Sequence, residues 1–177
     1  MTIAFLDVHY TGTGARAACV LADSWESDRP ASAHVANIQK IEPYEPGSFY
    51  RRELPCLLAA LRRLSSLPDV AVVDGYVWLS ALDRPGLGAH LFDALERRVP
   101  VVGIAKTAFA GAESSMAVVP VLRGLSRKPL FVSAAGIERD VAAQCVRRMA
   151  GRHRIPEMAK MADRLSRGTA FGKPRQD

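Results

Sequence analysis

Val70-Ala71-Val72-Val73-Asp74-Gly75 decides the fold class. An unbroken apolar run, mostly β-branched, lies between Pro68-Asp69 and the closing Asp-Gly pair. A run this short and this uniformly apolar reads as a strand buried on both faces, the central position of a parallel sheet. Val99 to Ala105 repeats the pattern and stops before Lys106. Pro85 to Arg98, between the two, reads as a helix. Upstream, Phe49 to Ser66 carries Leu54, Leu57, Leu58, Leu61 and Leu64 at helical spacing, with arginines on the opposite face. Further out lie Thr2 to Tyr10, the turn Thr11-Gly12-Thr13-Gly14, then Ala15 to Asp23 and Ala31 to Ile41, which read as three strands joined by short turns. Beyond residue 105, Leu130 to Ser133 reads as a strand, and Ile137 to Ala150 and Pro156 to Arg167 as helices. The order predicts an α/β fold: an antiparallel three-strand meander followed by parallel strands in one mixed sheet flanked by helices.

The chain of 177 residues is read as one domain over 1–168 with a polar tail over 169–177. Its apolar runs are all shorter than the roughly 18–20 residues that span a bilayer. The start, MTIAFLDVHY, lacks the basic region of a signal peptide, so the expectation is a cytoplasmic protein away from membranes. Cys19, Cys56 and Cys145 are far apart, which argues for a reducing compartment rather than a disulfide framework. His9, His34, His90 and His153 form no metal-ligand pair, and neither a GxSxG nor a P-loop is present. Net charge is +6, and residues 101–177 carry 14 basic and 6 acidic side chains, which is more than the whole surplus. Such a flank is either a solvated helical face or a phosphate-binding surface.

Three acids stand out. Asp7 interrupts the apolar strand AFLDVHY, where an acid either faces outward or needs a partner or cation. Asp74 closes VAVVD at a strand's carboxyl end, a place for a turn residue or for a ligand-facing one. Glu53, in RRELP, sits in the first turn of a helix, where the helix dipole alone accounts for an acid. If the first strand and VAVVD are neighbours, the three converge, and like charges so placed call for a cation. Hard oxygen ligands suit Mg²⁺ or Mn²⁺, the ions of phosphodiester hydrolysis. Lys106 at the end of the next strand could steady a phosphate or simply lie in a loop. Tyr44 between two prolines could stack on a base or cap a turn, and Asp163 could pair locally with Lys160, Arg164 or Arg167.

Taken in order, LDVHY, PYEPGSFYRRELP, VAVVDGY, GLGAHL, VPVVGIAKT, PLFVS and RIPEMAKMADRLS resemble endonuclease V from about residue 3 to residue 168. The resemblance implies an RNase H-like nuclease that uses Mg²⁺, with Mn²⁺ as a substitute, and nicks a strand near a deaminated purine such as inosine. The strand is DNA, in some members RNA, and the role is DNA repair. It implies Asp7, Glu53 and Asp74 as metal-binding carboxylates, Lys106 near the phosphate, and Asp163 close to the metal centre. It further implies Pro43, Tyr44 and Pro46 as a rigid wedge, Gly47 and Gly75 around the flipped base, and Arg52 as a substrate contact.

The sequence departs from that pattern at Glu45, an acid where the wedge has a hydrophobic residue. It departs again over Tyr76-Val77-Trp78-Leu79-Ser80, which lacks the family's histidines and puts Val77 where a glycine lies against the base. The expectation is therefore a kept metal centre beside a rebuilt base pocket. Three functions remain open: an endonuclease V-like enzyme, a nuclease with another substrate such as single-stranded RNA, and a non-catalytic nucleic-acid-binding module. A monomer is expected.

Overall fold

A computed structural model of the chain describes residues 1–12, 14–41, 49–79, 84–109 and 116–169. Along it run β1 (Ile3–Thr11), β2 (Gly14–Ala22), β3 (Ser32–Ile38), α1 (Phe49–Leu61), β4 (Val70–Asp74), α2 (Leu87–Ala94), β5 (Val101–Ala105), β6 (Val119–Val121), β7 (Leu130–Ala135), α3 (Arg139–Arg148) and α4 (Glu157–Ser166). The strands form one seven-stranded mixed sheet in the order β3-β2-β1-β4-β5-β7-β6. The meander is antiparallel, and β1, β4 and β5 run parallel at the centre. The apolar runs thus occupy the positions their composition predicts. Among the described residues no helix is long and apolar enough to cross a membrane.

Three features differ from the sequence reading. β7 pairs antiparallel with β5, and the edge strand β6 has no counterpart in the sequence pattern, being three residues long with a proline in the middle. The helix read over Pro85–Arg98 is shorter, because Glu96 and Arg97 take left-handed backbone conformations (φ 55° and 59°) that end it. Glu53 is the fifth residue of α1, past the first turn, so the helix dipole does not account for it.

Side-chain alternation along the strands divides the core. Ala4, Leu6, Ala71, Val73 and Val101 face α1 and α2. Ile3, Phe5, Val70, Val72, Val102 and Ile104 face α3 and α4. That parity carries forward to the ends of the strands, where Asp7, Asp74 and Lys106 each follow, two residues on, an apolar residue of the α4 face.

Candidate active site

The register of β1 on β4 pairs Leu6 with Val73, so Asp7 and Asp74 come next, side by side at the carboxyl ends of adjacent parallel strands. β5 pairs Asp74 with Ile104, which brings Lys106 to the same end. The Lys106 ammonium donates to Asp74 Oδ2. α4 closes the other side. Ser166 Oγ donates to Asp7 Oδ2 and lies 2.8 Å from the Asp163 carbonyl. Asp163 itself accepts from Arg167 Nε at 2.9 Å. Asp7, Asp74, Lys106 and Asp163 line one cavity of about 280 Å³ between the strand ends and α4.

Glu53 reaches this centre from α1, on the opposite face of the sheet. It is only 8% exposed, and its Oε2 has no hydrogen-bond partner among the described residues. Burial first, then the Asp7 and Asp74 charges, push its carboxyl up to about 8. Asp7 is also raised: burial dominates, the Ser166 hydroxyl opposes it, and Asp163 and Asp74 add to it. A buried, partnerless acid pushed up by two neighbouring carboxylates fits a divalent cation. Among the described residues, no three His, Cys, Asp or Glu side chains stand close enough together to hold a metal ion as placed, and Asp74 is engaged by Lys106.

Gly75 follows Asp74 with φ 146°, a conformation that favours glycine, and its amide donates to the Ile104 carbonyl at 3.0 Å. From there the chain crosses β5 so closely that a Cβ on Gly103 would lie 2.5 Å from the Gly75 carbonyl. Val77 is fully buried, its amide bound to Ser133 Oγ at 2.8 Å, and Trp78 Nε1 donates to the Ala134 carbonyl at 2.9 Å. The departure at Val77 is thus packed into the core. Arg52 is half-buried, its guanidinium 4.0 Å from the centre of the Tyr10 ring. Pro43, Tyr44, Glu45, Pro46, Gly47 and Ser80 lie outside the described residues.

The sequence reading missed two residues. Ser166 continues the stripe Met158–Ala162–Ser166 that α4 buries. A serine where an apolar residue is due was the available signal. Arg154 donates to the backbone carbonyls of Lys106 and Pro129, bracing the segment that carries Lys106, and nothing local in RHRIPE marks it.

The family model for endonuclease V matches residues 1–164. The chain belongs to the endonuclease V family. The endonuclease V of Geotalea uraniireducens is 34% identical over 182 residues, covering 93% of this chain and 76% of that one. The crystal structure of the Streptomyces avermitilis endonuclease V superposes with a TM-score of 0.73 at 28% identity, over 95% of this chain and 80% of that one. The Ciona intestinalis endonuclease V, bound to a 24mer DNA containing an inosine followed by a ribo-adenosine, gives a TM-score of 0.78 at 21% identity, over 94% and 84% of the two chains. This last likeness bears on the fold: the mixed sheet with its flanking helices is the endonuclease V architecture.

Proposed function

We propose that this chain is a divalent-metal-dependent endonuclease that hydrolyses a phosphodiester near a deaminated purine, inosine above all, in DNA or RNA. The observation that carries the metal dependence is the buried Glu53 carboxyl, without a hydrogen-bond partner among the described residues and held near 8 by burial and the charges of Asp7 and Asp74. The inosine-containing DNA bound by the Ciona relative supports the substrate class. Asp7, Glu53 and Asp74 would hold Mg²⁺ or Mn²⁺. The bound ion supplies an activated water and neutralises charge building on the phosphate. Ser166 fixes the orientation of Asp7. Lys106 stands at the same strand ends and offers a cation to the phosphate oxygens once it releases Asp74. Asp163, paired with Arg167, adds negative charge beside Asp7. The basic residues beyond 100 would grip backbone phosphates, so binding weakens steeply with salt.

Cleavage of inosine-containing and undamaged oligonucleotides, single- and double-stranded, with Mg²⁺ or Mn²⁺ tests this reading. Asp74→Ala is expected to abolish cutting. A variant that cuts as well as the wild type ends the assignment. A second reading, a nuclease with relaxed base selection, draws on the buried Val77. It predicts equal cutting of inosine-containing and undamaged strands.

A further inference from the structure

The fold sorts the 14 basic side chains of residues 101–177. Lys106, Arg139, Arg148, Lys160 and Arg167 pair with carboxylates. Arg123 and Arg154 donate to backbone carbonyls. Of those left over, Arg127, Lys128 and Arg152 are exposed, and no ion pair among the described residues engages them. They stand on two segments that touch: 122–129, between β6 and β7, and 149–156, between α3 and α4. The Leu125 amide donates to the Arg152 carbonyl at 3.1 Å, and a Cβ on Gly124 would run into that same carbonyl. Arg123, on the first segment, donates to the carbonyls of Met149, Gly151 and His153 on the second. Arg154, on the second, donates back to the Pro129 carbonyl and on to that of Lys106. The two segments therefore make one ridge with a braced backbone. No acid occurs in sequence between Glu113 and Glu138, nor between Asp140 and Glu157. Leu122 and Leu125 stand among the cations, 56% and 79% exposed.

The ridge adjoins the carboxylate centre. β7 pairs Phe131 with Ala105, so the segment before it ends where β5 ends. Leu130 and Ile155, each the residue where a ridge segment runs into the fold, line the same cavity as Asp7, Asp74 and Lys106. Lys128 is two residues from Leu130 and Arg152 three from Ile155, which places their Cα atoms within about 7 and 11 Å of those residues. A duplex advances about 3.4 Å per nucleotide on each strand. A strand held at the carboxylates therefore meets the ridge within about three nucleotides. We infer that the ridge is the docking surface for the nucleic-acid backbone flanking the reacting phosphate, with phosphates at Arg127, Lys128 and Arg152 and the apolar face of a sugar or base against Leu125. Cations without acids favour a polyanion, and exposed leucines among them favour one that carries apolar faces. An anionic lipid surface shares that chemistry, but continuity with the carboxylate centre favours a nucleic acid. The ridge contacts backbone, so it adds affinity without reading bases. It rests on the nucleic-acid reading of the carboxylate centre but not on catalysis.

Binding to single- and double-stranded DNA oligonucleotides, with and without inosine, is measured in EDTA across a salt series, where cutting plays no part. Each lost phosphate contact is expected to flatten the slope of log K against log salt by about 0.9 on duplex and about 0.7 on single strands. Arg127→Gln with Lys128→Gln should lose about two contacts and Arg152→Gln about one, alike on inosine-containing and undamaged strands. Leu125→Ser should weaken binding and leave the slope as it is. Arg62→Gln with Arg63→Gln is the control. It removes two exposed cations just past α1, about 14 Å along the helix axis from Glu53, and should keep the wild-type slope. All these side chains are exposed, and a melt of each variant confirms its fold. Flattened slopes in the ridge variants, with no cutting by the metal-loaded wild type, uphold the ridge and remove the nuclease reading. Cutting by the wild type with unchanged slopes in the ridge variants keeps the nuclease reading and overturns the ridge. The ridge also falls if the wild type does not bind, if the control flattens equally, if the loss is confined to inosine-containing strands, or if Leu125→Ser binds like the wild type. It falls as well if the ridge variants lose binding to phosphatidylglycerol vesicles but keep it to oligonucleotides.

Discussion

Ser166 Oγ bonds Asp7 Oδ2 although the two residues stand 159 apart in the chain. The bond joins α4 to the central strand β1 at the half-buried acid that follows its buried run Ile3–Leu6.

Removing it has a signed consequence. The Ser166 hydroxyl opposes the upward push of burial on Asp7. Ser166→Ala therefore raises the Asp7 pKa further, and a reaction that needs Asp7 ionised loses rate on the acid side. The acid limb of the pH–rate profile is expected to move upward. Loss of a hydrogen bond to a part-buried carboxylate costs about 1–2 kcal/mol, or roughly 3–6 °C in Tm for a chain of this size. A pH–rate profile and a melt, run together, separate the two effects. An unchanged acid limb with a lowered Tm would leave Ser166 a purely structural residue.

Glu53 governs stability in the absence of metal. Its carboxyl sits at about 8 in the fold against an ordinary value of 4.5. The native state therefore keeps a proton that the unfolded chain releases. Stability from this group is full below pH 4.5 and declines as pH rises toward 8. In EDTA, Glu53→Gln is expected to melt higher than the wild type at pH 8 and alike below pH 4.5. Mn²⁺ is expected to raise the Tm of the wild type, and that rise to shrink or vanish in the variant. Melts in EDTA and in Mn²⁺ across this range check both statements.

Arg123 is 4% exposed and donates to the carbonyls of Met149, Ala150, Gly151, His153 and Arg154. It clasps the turn between α3 and α4, and through Arg154 that turn braces the Lys106 backbone. Arg123→Met strands several buried acceptors and is expected to cost about 3 kcal/mol or more. Lysine cannot rescue it, since a point donor does not span five carbonyls. Urea unfolding of Arg123→Met and Arg123→Lys measures this. A Lys variant as stable as the wild type would contradict the clasp.

The sequence made the centre of the fold legible and its margins less so. Val70–Val73 and Val101–Ile104 announce buried parallel strands because their composition admits little else. Asp7 and Asp74 each have an ordinary reading of their own, an outward-facing acid and a turn residue, and become legible only together with Glu53, because neighbouring strands bring the three acids to one place. Glu53 stood out only in company with them, since an acid early in a helix has an ordinary explanation. β6 escaped because three residues around Pro120 carry no period. Ser166 and Arg154 escaped because their partners, Asp7 and the Lys106 carbonyl, are distant in sequence and only the folded sheet brings them close. The ends of α2 escaped because Glu96 and Arg97 adopt a left-handed backbone that neither residue type signals.

Gly88 and Val77 form a packing pair that a double-mutant cycle can read. A Cβ on Gly88 would lie 2.6 Å from Val77 Cγ2 and 3.1 Å from the Val77 backbone. Gly88 opens α2, where alanine would ordinarily stabilise a helix by up to about 1 kcal/mol. Here the steric conflict wins, because a valine methyl fixed in the core cannot swing aside. Gly88→Ala is expected to destabilise by about 1–3 kcal/mol. Val77→Ala removes the opposing methyl and on its own leaves a small cavity, at a cost of about 1–2 kcal/mol. The double variant should be more stable than the sum of the two single losses predicts, with a coupling of about 1 kcal/mol or more. Strict additivity in urea unfolding would show that Val77 does not press on Gly88.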